Sequence, residues 1–183
     1  MSLRIRLETA RLKLVPLDAR WRDDVCDMFN DPRIAEWLFL TGPPTREQLD
    51  KRIEAGETFW REHGFGLFAV LDKSDDRFVA RVGALTTPET GRIEIAWSTA
   101  REAHGKGFAT EAAIAAIDFT FARAKLPKLD CYLRPDNAAS RRVAEKAGFR
   151  YQDTRYLYDR ILRYYELPRP NAPLSAKTTA QAH

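Results

Sequence analysis

The stretch His-Gly-Lys-Gly-Phe-Ala-Thr at residues 104–110 stands between two segments of different periodicity. Residues 92–97 before it alternate like a β-strand, and residues 109–124 after it have the pattern of a helix. Because glycine has no Cβ, Gly105 and Gly107 allow a ligand to approach the backbone closely. The start of a helix adds free N–H groups and the positive end of the helix dipole. The stretch therefore predicts a cradle for an anionic group such as a phosphate.

This loop matches neither of two well-known phosphate motifs. It lacks the third glycine of G-x-G-x-x-G, and it lacks the G-K-[ST] of a Walker loop. Taken by itself, the loop also fits an ordinary glycine-containing turn before a helix. A second segment, Asn-Ala-Ala-Ser-Arg-Arg-Val-Ala-Glu-Lys-Ala-Gly-Phe at residues 137–149, favours the ligand-binding interpretation.

Together the two segments resemble the GNAT N-acetyltransferase superfamily. His104-x-x-Gly107-x-Ala109 resembles its acetyl-CoA pyrophosphate loop, [QR]-x-x-G-x-[GA], with histidine in place of the usual Gln or Arg. Residues 137–149 resemble its N-x-x-S…K-x-G-F segment. With the opening Glu-Thr-Ala-Arg-Leu-Lys-Leu at 8–14, the chain looks most like the RimJ/RimL branch, which acetylates N-terminal amines of ribosomal proteins. The resemblance covers about residues 8–167 and is sharpest over 92–149.

The order of predicted elements favours a mixed α+β fold. The strands are expected over residues 12–17, 65–71, 78–85, 92–97, 129–133, 149–155 and 159–167. The helices are expected over residues 19–29, 32–38, 45–62, 109–124 and 137–147. This order indicates a central sheet with helices on both faces. The resemblance implies the acyl-CoA N-acyltransferase fold, whose sheet is mostly antiparallel.

One domain accounts for most of the chain. The 183 residues suffice for a single sizeable core. We predict a single GNAT acetyltransferase domain over residues 1–167. From Pro168 onward the chain has three prolines and small polar residues without periodicity, so we predict a flexible tail over 168–183.

The overall composition excludes several classes of protein. The net charge of +4 suits an anionic ligand but is too small, without a dense Lys/Arg stripe, to indicate DNA or RNA binding. Cys26 and Cys131 form no disulfide or metal pattern, and the three histidines lack ligand spacing, so we expect no metal. We expect a cytoplasmic protein with no signal peptide and no membrane span. The sequence leaves the oligomeric state open, a homodimer included.

The resemblance also implies which residues bind acetyl-CoA. Backbone amides of the loop would hold the pyrophosphate, and the residues concerned are Gly105, Lys106, Gly107, Phe108, Ala109 and Thr110. The backbone of Trp97, Ser98 and Thr99 would pair with the pantetheine arm, to which Asn137 would also hydrogen-bond. Three alternatives remain open: Lys106 as a solvated side chain, Trp97 as a core residue, and Asn137 as a helix N-cap.

Two residues are candidates for catalysis. Glu94 lies in a strand between apolar neighbours, where an acidic residue is unusual unless it is paired or functional. We predict that Glu94 takes the proton from the amine; a salt bridge with Arg81 or Arg92 is the alternative. The family's frequent tyrosine acid falls on Ala144 here and is therefore absent. Ser140 matches the serine of the RimJ/RimL branch and could stabilise the departing thiolate, or simply lie in the first turn of the helix.

The resemblance therefore implies an acetyl-CoA-dependent N-acetyltransferase that transfers acetyl directly to a primary amine. The expected acceptor is the N-terminal α-amine of a protein. A small-molecule amine, such as an amino acid, a polyamine or an antibiotic, is the alternative. A non-catalytic acyl-CoA-binding module that keeps the fold is a further alternative, to which the absent tyrosine gives some support.

Overall fold

The fold is an eight-stranded sheet packed between helices. In the computed structural model, which describes residues 5–175, the strands are β1 (Leu7–Glu8), β2 (Leu12–Pro16), β3 (Leu67–Asp72), β4 (Phe78–Thr86), β5 (Ile93–Thr99), β6 (Lys128–Leu133), β7 (Arg150–Leu157) and β8 (Arg160–Pro168). The helices are α1 (Arg22–Asn30), α2 (Pro32–Leu38), α3 (Arg46–His63), α4 (Phe108–Arg123) and α5 (Ala138–Lys146).

The sheet confirms the expected mixed α+β fold. Its strand order is β1-β2-β3-β4-β5-β6-β8-β7. Within residues 5–175, six of the seven strand pairings are antiparallel, and the seventh, between β5 and β6, is parallel. The crossover between these two parallel strands is α4, as a parallel connection requires.

Local signals in the sequence account for most helix ends. The Thr45 side chain accepts a hydrogen bond from the Gln48 amide while the Gln48 side chain accepts one from the Thr45 amide, which is a capping box. Gly64 ends α3 with φ 73°, a conformation that glycine adopts without a Cβ clash. The predicted first helix begins differently: residues Ala19–Trp21 form a 3-10 turn before α1, since the Asp18 side chain caps the Arg20 amide. The two-residue strand β1 was not predicted from the sequence.

Alternation along the strands places one set of helices on each face. On β3, Phe68 and Val70 join the core beneath α4, whereas Ala69 between them packs with α1 and α3. On β5, Ile95 packs with Ile117 and Phe121 of α4. Glu94, one position earlier, therefore faces the side of the sheet that α1 to α3 cover.

The segment after β8 returns to α4. The Asp118 carboxylate accepts hydrogen bonds from the amides of Leu174 (2.7 Å) and Ser175 (2.9 Å). Arg169 donates to the carbonyl of Phe121 at 2.8 Å. The first residues of the predicted tail are thus in contact with the domain, and residues 176–183 of that tail lie outside the described part of the chain.

None of the helices within residues 5–175 has both the length and the hydrophobicity needed to cross a membrane.

Candidate active site

The two parallel strands at the centre of the sheet separate almost at once. Glu94 of β5 is in register with Asp130 of β6, and this is the one paired position between them in the described chain. Beyond it, Ile95–Thr99 keeps its hydrogen bonds with β4 but presents a free backbone edge toward β6. A free strand edge is a ready template for another extended, amide-containing group.

A cleft of about 1050 Å³ opens at this separation. The predicted residues Glu94, Trp97, Asn137 and Ser140 line it. The residues of α2 and the following loop supply the opposite wall, among them Trp37, Leu38, Phe39 and Leu40. The cleft therefore brings together two distant parts of the chain that the sequence analysis singled out separately.

Glu94 is the buried acid of this cleft. Its residue surface is only 7% exposed, and its carboxylate accepts hydrogen bonds from Thr87 Oγ1 (2.8 Å) and the Tyr158 hydroxyl (3.1 Å). Burial raises the pKa of Glu94 to about 7, although these two hydrogen bonds oppose the rise. A carboxyl group with that pKa exchanges its proton readily near neutral pH.

The salt-bridge alternative for Glu94 is not what the structure contains. Arg92 instead places Nη1 3.6 Å from the buried carboxylate of Asp130. Arg81 has no ion-pair partner among residues 5–175, Glu94 included. Glu94 is thus a buried carboxyl group without a paired cation in the described chain, held by hydroxyl donors alone.

Tyr158 is a cleft residue that sequence reasoning missed. It and Asp159 form the two-residue turn between β7 and β8, with φ values of 54° and 57°. Such turns favour Asn-Gly because both central residues adopt positive φ, so a tyrosine here carries backbone strain of about 1–3 kcal/mol. The one signal for Tyr158 in the sequence was the Tyr-Asp pair itself, because Asn-Gly is the usual pair at such a turn. The strained turn directs the tyrosine hydroxyl onto Glu94.

Asn137 and Ser140 lie at the start of α5. The Asn137 Oδ1 accepts a hydrogen bond from the Ser140 amide at 2.9 Å, so Asn137 is the N-cap of the helix. Its side-chain NH₂ group is not used in this cap and remains a donor toward the cleft. The Ser140 side chain is half-buried and lines the cleft.

The glycine loop has the features expected of an anion cradle. Gly105 and Gly107 both adopt left-handed backbone conformations, with φ 76° and 78°. Gly107 directly precedes α4, whose first turn has no side-chain cap. The amides of Phe108, Ala109 and Thr110 therefore open the helix without intrahelical acceptors. Residues 104–107 of the loop are exposed, and no residue of the loop is part of the lining of the cleft.

Arg11 supports this loop, and sequence analysis assigned it no role. Its Nη1 donates to the Lys106 carbonyl at 2.8 Å, and its guanidinium lies 4.8 Å from the Phe108 ring centroid. Its Nη2 pairs with Glu111 at 2.7 Å, which neutralises the acid in the first turn of α4. The helix start therefore keeps a positive electrostatic character. Lys106 is exposed.

Trp97, Ser98 and Thr99 lie on the free edge of β5. The Trp97 ring packs against the two hydrophobic clusters beneath α4, so its side chain belongs largely to the core. The Thr99 carbonyl is 3.1 Å from His104 Nε2, a contact that ties the glycine loop to the strand end. Ser98 is buried, and within residues 5–175 its hydroxyl has no hydrogen-bond partner.

Cys131 and the metal-ligating residue types offer no further catalytic group within residues 5–175. Cys131 is buried, and burial raises the pKa of its thiol well above the usual value, which disfavours a nucleophilic thiolate. Within the described chain no group of three or more His, Cys, Asp or Glu residues is arranged to hold a metal ion.

A family model for the "Acetyltransferase (GNAT) domain" matches residues 11–150. The chain is 27% identical over 169 residues to the uncharacterized protein YkkB of Bacillus subtilis, covering 91% of this chain and 97% of YkkB. It is 26% identical over 161 residues to an uncharacterized N-acetyltransferase, p20, of Bacillus licheniformis, covering 87% of this chain and 86% of p20.

Solved structures share the fold over nearly the whole chain. An acetyltransferase from Agrobacterium tumefaciens superposes with a TM-score of 0.79 at 25% identity, covering 92% of this chain and 96% of that one. A Vibrio cholerae protein provisionally assigned as a ribosomal-protein-serine acetyltransferase has a TM-score of 0.74 at 19% identity, with coverages of 92% and 100%. The aminoglycoside acetyltransferase AAC(6')-Ib in complex with coenzyme A has a TM-score of 0.73 at 17% identity, with coverages of 92% and 99%.

Proposed function

Because this chain belongs to the GNAT acetyltransferase family and is an N-acetyltransferase, we propose that it acetylates the N-terminal α-amine of a protein, with acetyl-CoA as donor. The observation that carries the proposal is the unpaired carboxyl group of Glu94 in the cleft, with its pKa near 7. An ammonium group must lose a proton before its nitrogen can attack, and Glu94 is the acceptor for that proton.

The acid–base match favours an α-amine over a lysine side chain. An α-amine has a pKa of about 8, whereas a lysine ε-amine has a pKa of about 10.4. A base with a pKa near 7 accepts a proton from the former at a much smaller cost. Glu94 passes the proton on as the carboxyl equilibrates with solvent through the open cleft.

The cofactor fits the residues that surround the cleft. The uncapped start of α4 and the two left-handed glycines offer backbone amides to a pyrophosphate, with Arg11 and Lys106 as nearby cations. The free edge of β5 at Trp97, Ser98 and Thr99 offers backbone groups to the amides of a pantetheine arm. When bound, acetyl-CoA supplies the acetyl group as a reactive thioester.

Asn137 and Ser140 are the remaining residues to which we assign a role in the reaction. We assign the free NH₂ group of Asn137 to the pantetheine, because the other end of its amide already caps α5. We assign the Ser140 hydroxyl to hydrogen-bonding the sulfur that leaves. A serine hydroxyl is a poor acid, so its contribution is stabilisation of the thiolate rather than full protonation.

The RimJ/RimL-type assignment has modest independent support. The Vibrio cholerae protein assigned to ribosomal-protein serine acetylation shares the fold, but so does the aminoglycoside acetyltransferase. The cleft favours the former kind of acceptor, since the four arginines that line it, Arg52, Arg81, Arg134 and Arg160, would repel a polycationic aminoglycoside or polyamine.

The test of the proposed function is a thiol-release assay with acetyl-CoA. The acceptors are peptides that begin with Ser, Ala or Met, the same peptides with a blocked N-terminus, free amino acids, a polyamine and an aminoglycoside. We expect turnover with unblocked peptides, none with blocked ones, and about a tenfold loss of kcat in Ser140→Ala. Turnover confined to small amines would overturn the protein N-terminus as the acceptor.

Replacing Tyr158 by Phe is expected to shift the acid limb of the pH–rate profile upward. The Tyr158 hydroxyl stabilises the ionised form of Glu94, so its loss raises the pKa of that carboxyl. Activity at pH 7 should fall several-fold and recover at pH 9. The profile of kcat/KM from pH 5.5 to 9.5 measures the shift, with the exposed Tyr156→Phe as the matched control. An equal loss of activity at every pH would contradict this role.

A further inference from the structure

Arg81 of β4 is a half-buried cation in the cleft, with no carboxylate in ion-pair contact among residues 5–175. Its Nε is fully covered and has no hydrogen-bond partner among residues 5–175. Its guanidinium lies 5.0 Å from the ring centroid of Phe29, which stabilises the charge but leaves the Nε–H donor unused. A half-buried guanidinium whose covered Nε–H has no acceptor is costly, so its presence calls for an explanation.

Arg52 of α3 converges on the same place. The two arginines line both the main cleft and a small adjoining cavity of about 50 Å³. Burial and the nearby charge of Arg52 lower the pKa of Arg81 to about 10, which leaves it protonated at neutral pH. Arg52 has an aromatic contact with Phe39 at 5.7 Å but no carboxylate partner within the described residues.

This pair differs from other arginines of the protein. Several other arginines have a carboxylate within 3.2 Å, and these pairs are Arg20–Asp18, Arg22–Asp50, Arg46–Asp23, Arg134–Asp136 and Arg155–Asp153. Arg134 also lines the cleft but is paired with Asp136, so these carboxylates leave Arg81 and Arg52 unmatched. Glu94, the one acidic residue in the lining of the cleft, is itself only partly ionised near neutral pH.

The arginine pair stands a short way along the sheet from Glu94. Arg81 is opposite Ser98 in the β4–β5 pairing, and Glu94 is opposite Leu85, four positions further along the strand. At about 3.4 Å per residue the two backbones are roughly 14 Å apart, and both side chains extend from the same face of the sheet. An acceptor whose amine lies at Glu94 would thus present its distal part to the arginines.

We propose that Arg81 and Arg52 form a subsite for an anionic group, a carboxylate or a phosphate, carried by the acceptor at a distance from its amine. The inference rests on the proposed function, whose acceptor it specifies further. Two guanidinium groups supply paired, directional donors that suit these planar or tetrahedral oxyanions. For a peptide acceptor the anion is an acidic side chain near the N-terminus, and for a small acceptor it is a carboxylate or phosphate of the molecule itself.

The test compares acceptors that differ only in charge. One pair is a peptide beginning Ser-Asp-Asp and the same peptide beginning Ser-Asn-Asn; another is glutamate and glutamine; a third is phosphoethanolamine and ethanolamine. We expect kcat/KM at least about tenfold higher for the anionic member of one pair, as charge-assisted hydrogen bonds are worth that much or more. The responding pair identifies the source of the anion. Equal values within every pair would overturn the inference while leaving the acetyltransferase function intact.

Variants locate the effect. Arg52→Gln, at an exposed position of α3, should remove most of the preference for the anionic acceptor without loss of folding. Arg81→Gln should reduce that preference still more. Arg123→Gln is the matched control, because Arg123 also stacks on a ring at 5.0 Å, that of Phe119, but lies outside the cleft. Preference retained in both Arg52→Gln and Arg81→Gln would refute the assignment.

A readout independent of turnover decides the case in which no amine is acetylated. Acetate and inorganic phosphate are titrated into ¹⁵N-labelled protein, and the arginine Nε–H resonances are followed. We expect the resonance that disappears in Arg81→Lys to shift on titration while that of Arg123 does not. Failure of the proposed function would then appear as absent turnover, whereas failure of the anion subsite would appear as an unmoved Arg81 signal.

Discussion

Replacing Glu94 by Gln is expected to lower kcat/KM by about 10²- to 10⁴-fold, the usual worth of a positioned general base. The substitution keeps the size of the side chain, so acetyl-CoA binding should stay within twofold of the wild type. The exposed Glu145→Gln, on α5, is the matched control and should have full activity. Activity of Glu94→Gln within a few-fold of the wild type at pH 7.5 would refute the base assignment.

The same substitution should make the protein more stable at alkaline pH. The pKa of Glu94 rises from 4.5 to about 7 on folding, so the folded state binds the proton more tightly than the unfolded state. Stability is therefore favoured at low pH and declines as pH rises from about 4.5 through 7. The full difference corresponds to about 3 kcal/mol, which the neutral glutamine would recover at pH 8.

Thermal unfolding of the wild type and Glu94→Gln at pH 5 and pH 8 measures this effect. The variant should unfold at a higher temperature at pH 8, and its advantage should shrink at pH 5. Loss of activity together with a gain of stability is the signature of a carboxylate kept in a strained environment for function. A variant less stable than the wild type at pH 8 would contradict the burial of an ionised carboxylate.

Replacing Ala109 by Asp should weaken acetyl-CoA binding about 100-fold or more. The new carboxylate would stand in the first turn of α4, where the proposal places the pyrophosphate. Two charges of like sign about 4 Å apart repel by about 4 kcal/mol near a protein surface. In the protein without cofactor, the same charge lies at the positive end of the helix dipole and should stabilise the fold by about 0.5 kcal/mol.

The control adds the same charge at the other end of the same helix. Ala122 is exposed in the last turn of α4, about 20 Å from Ala109 at 1.5 Å per residue and well beyond the screening length. Ala122→Asp should leave cofactor affinity unchanged and slightly lower the unfolding temperature. Calorimetric titration with coenzyme A and thermal unfolding report the two quantities separately. Unaltered affinity in Ala109→Asp would exclude the start of α4 as the pyrophosphate site.

Features set by neighbouring residues were predictable from the sequence. The capping box at Thr45 and the left-handed Gly148 after α5 each depend on a few adjacent positions, and the structure contains both. The mixed sheet followed from the order of periodic segments, and the GNAT family from two motifs. Glu94 was conspicuous because burying a carboxylate between apolar strand residues costs free energy unless a hydrogen-bond donor or a cation offsets it.

What compensates Glu94 was decided by the tertiary structure. The Tyr158 hydroxyl comes from 64 positions away, and the hydrogen bond from Arg11 to the glycine loop spans 95 positions. Arg81 and Arg52 line the same small cavity because the fold brings α3 and β4 to it, whereas a salt bridge from Arg81 to Glu94 was equally compatible with the sequence. Local patterns specify backbone conformation and which face is apolar; partners of a buried charge depend on how distant elements pack, and that is read only from the folded chain.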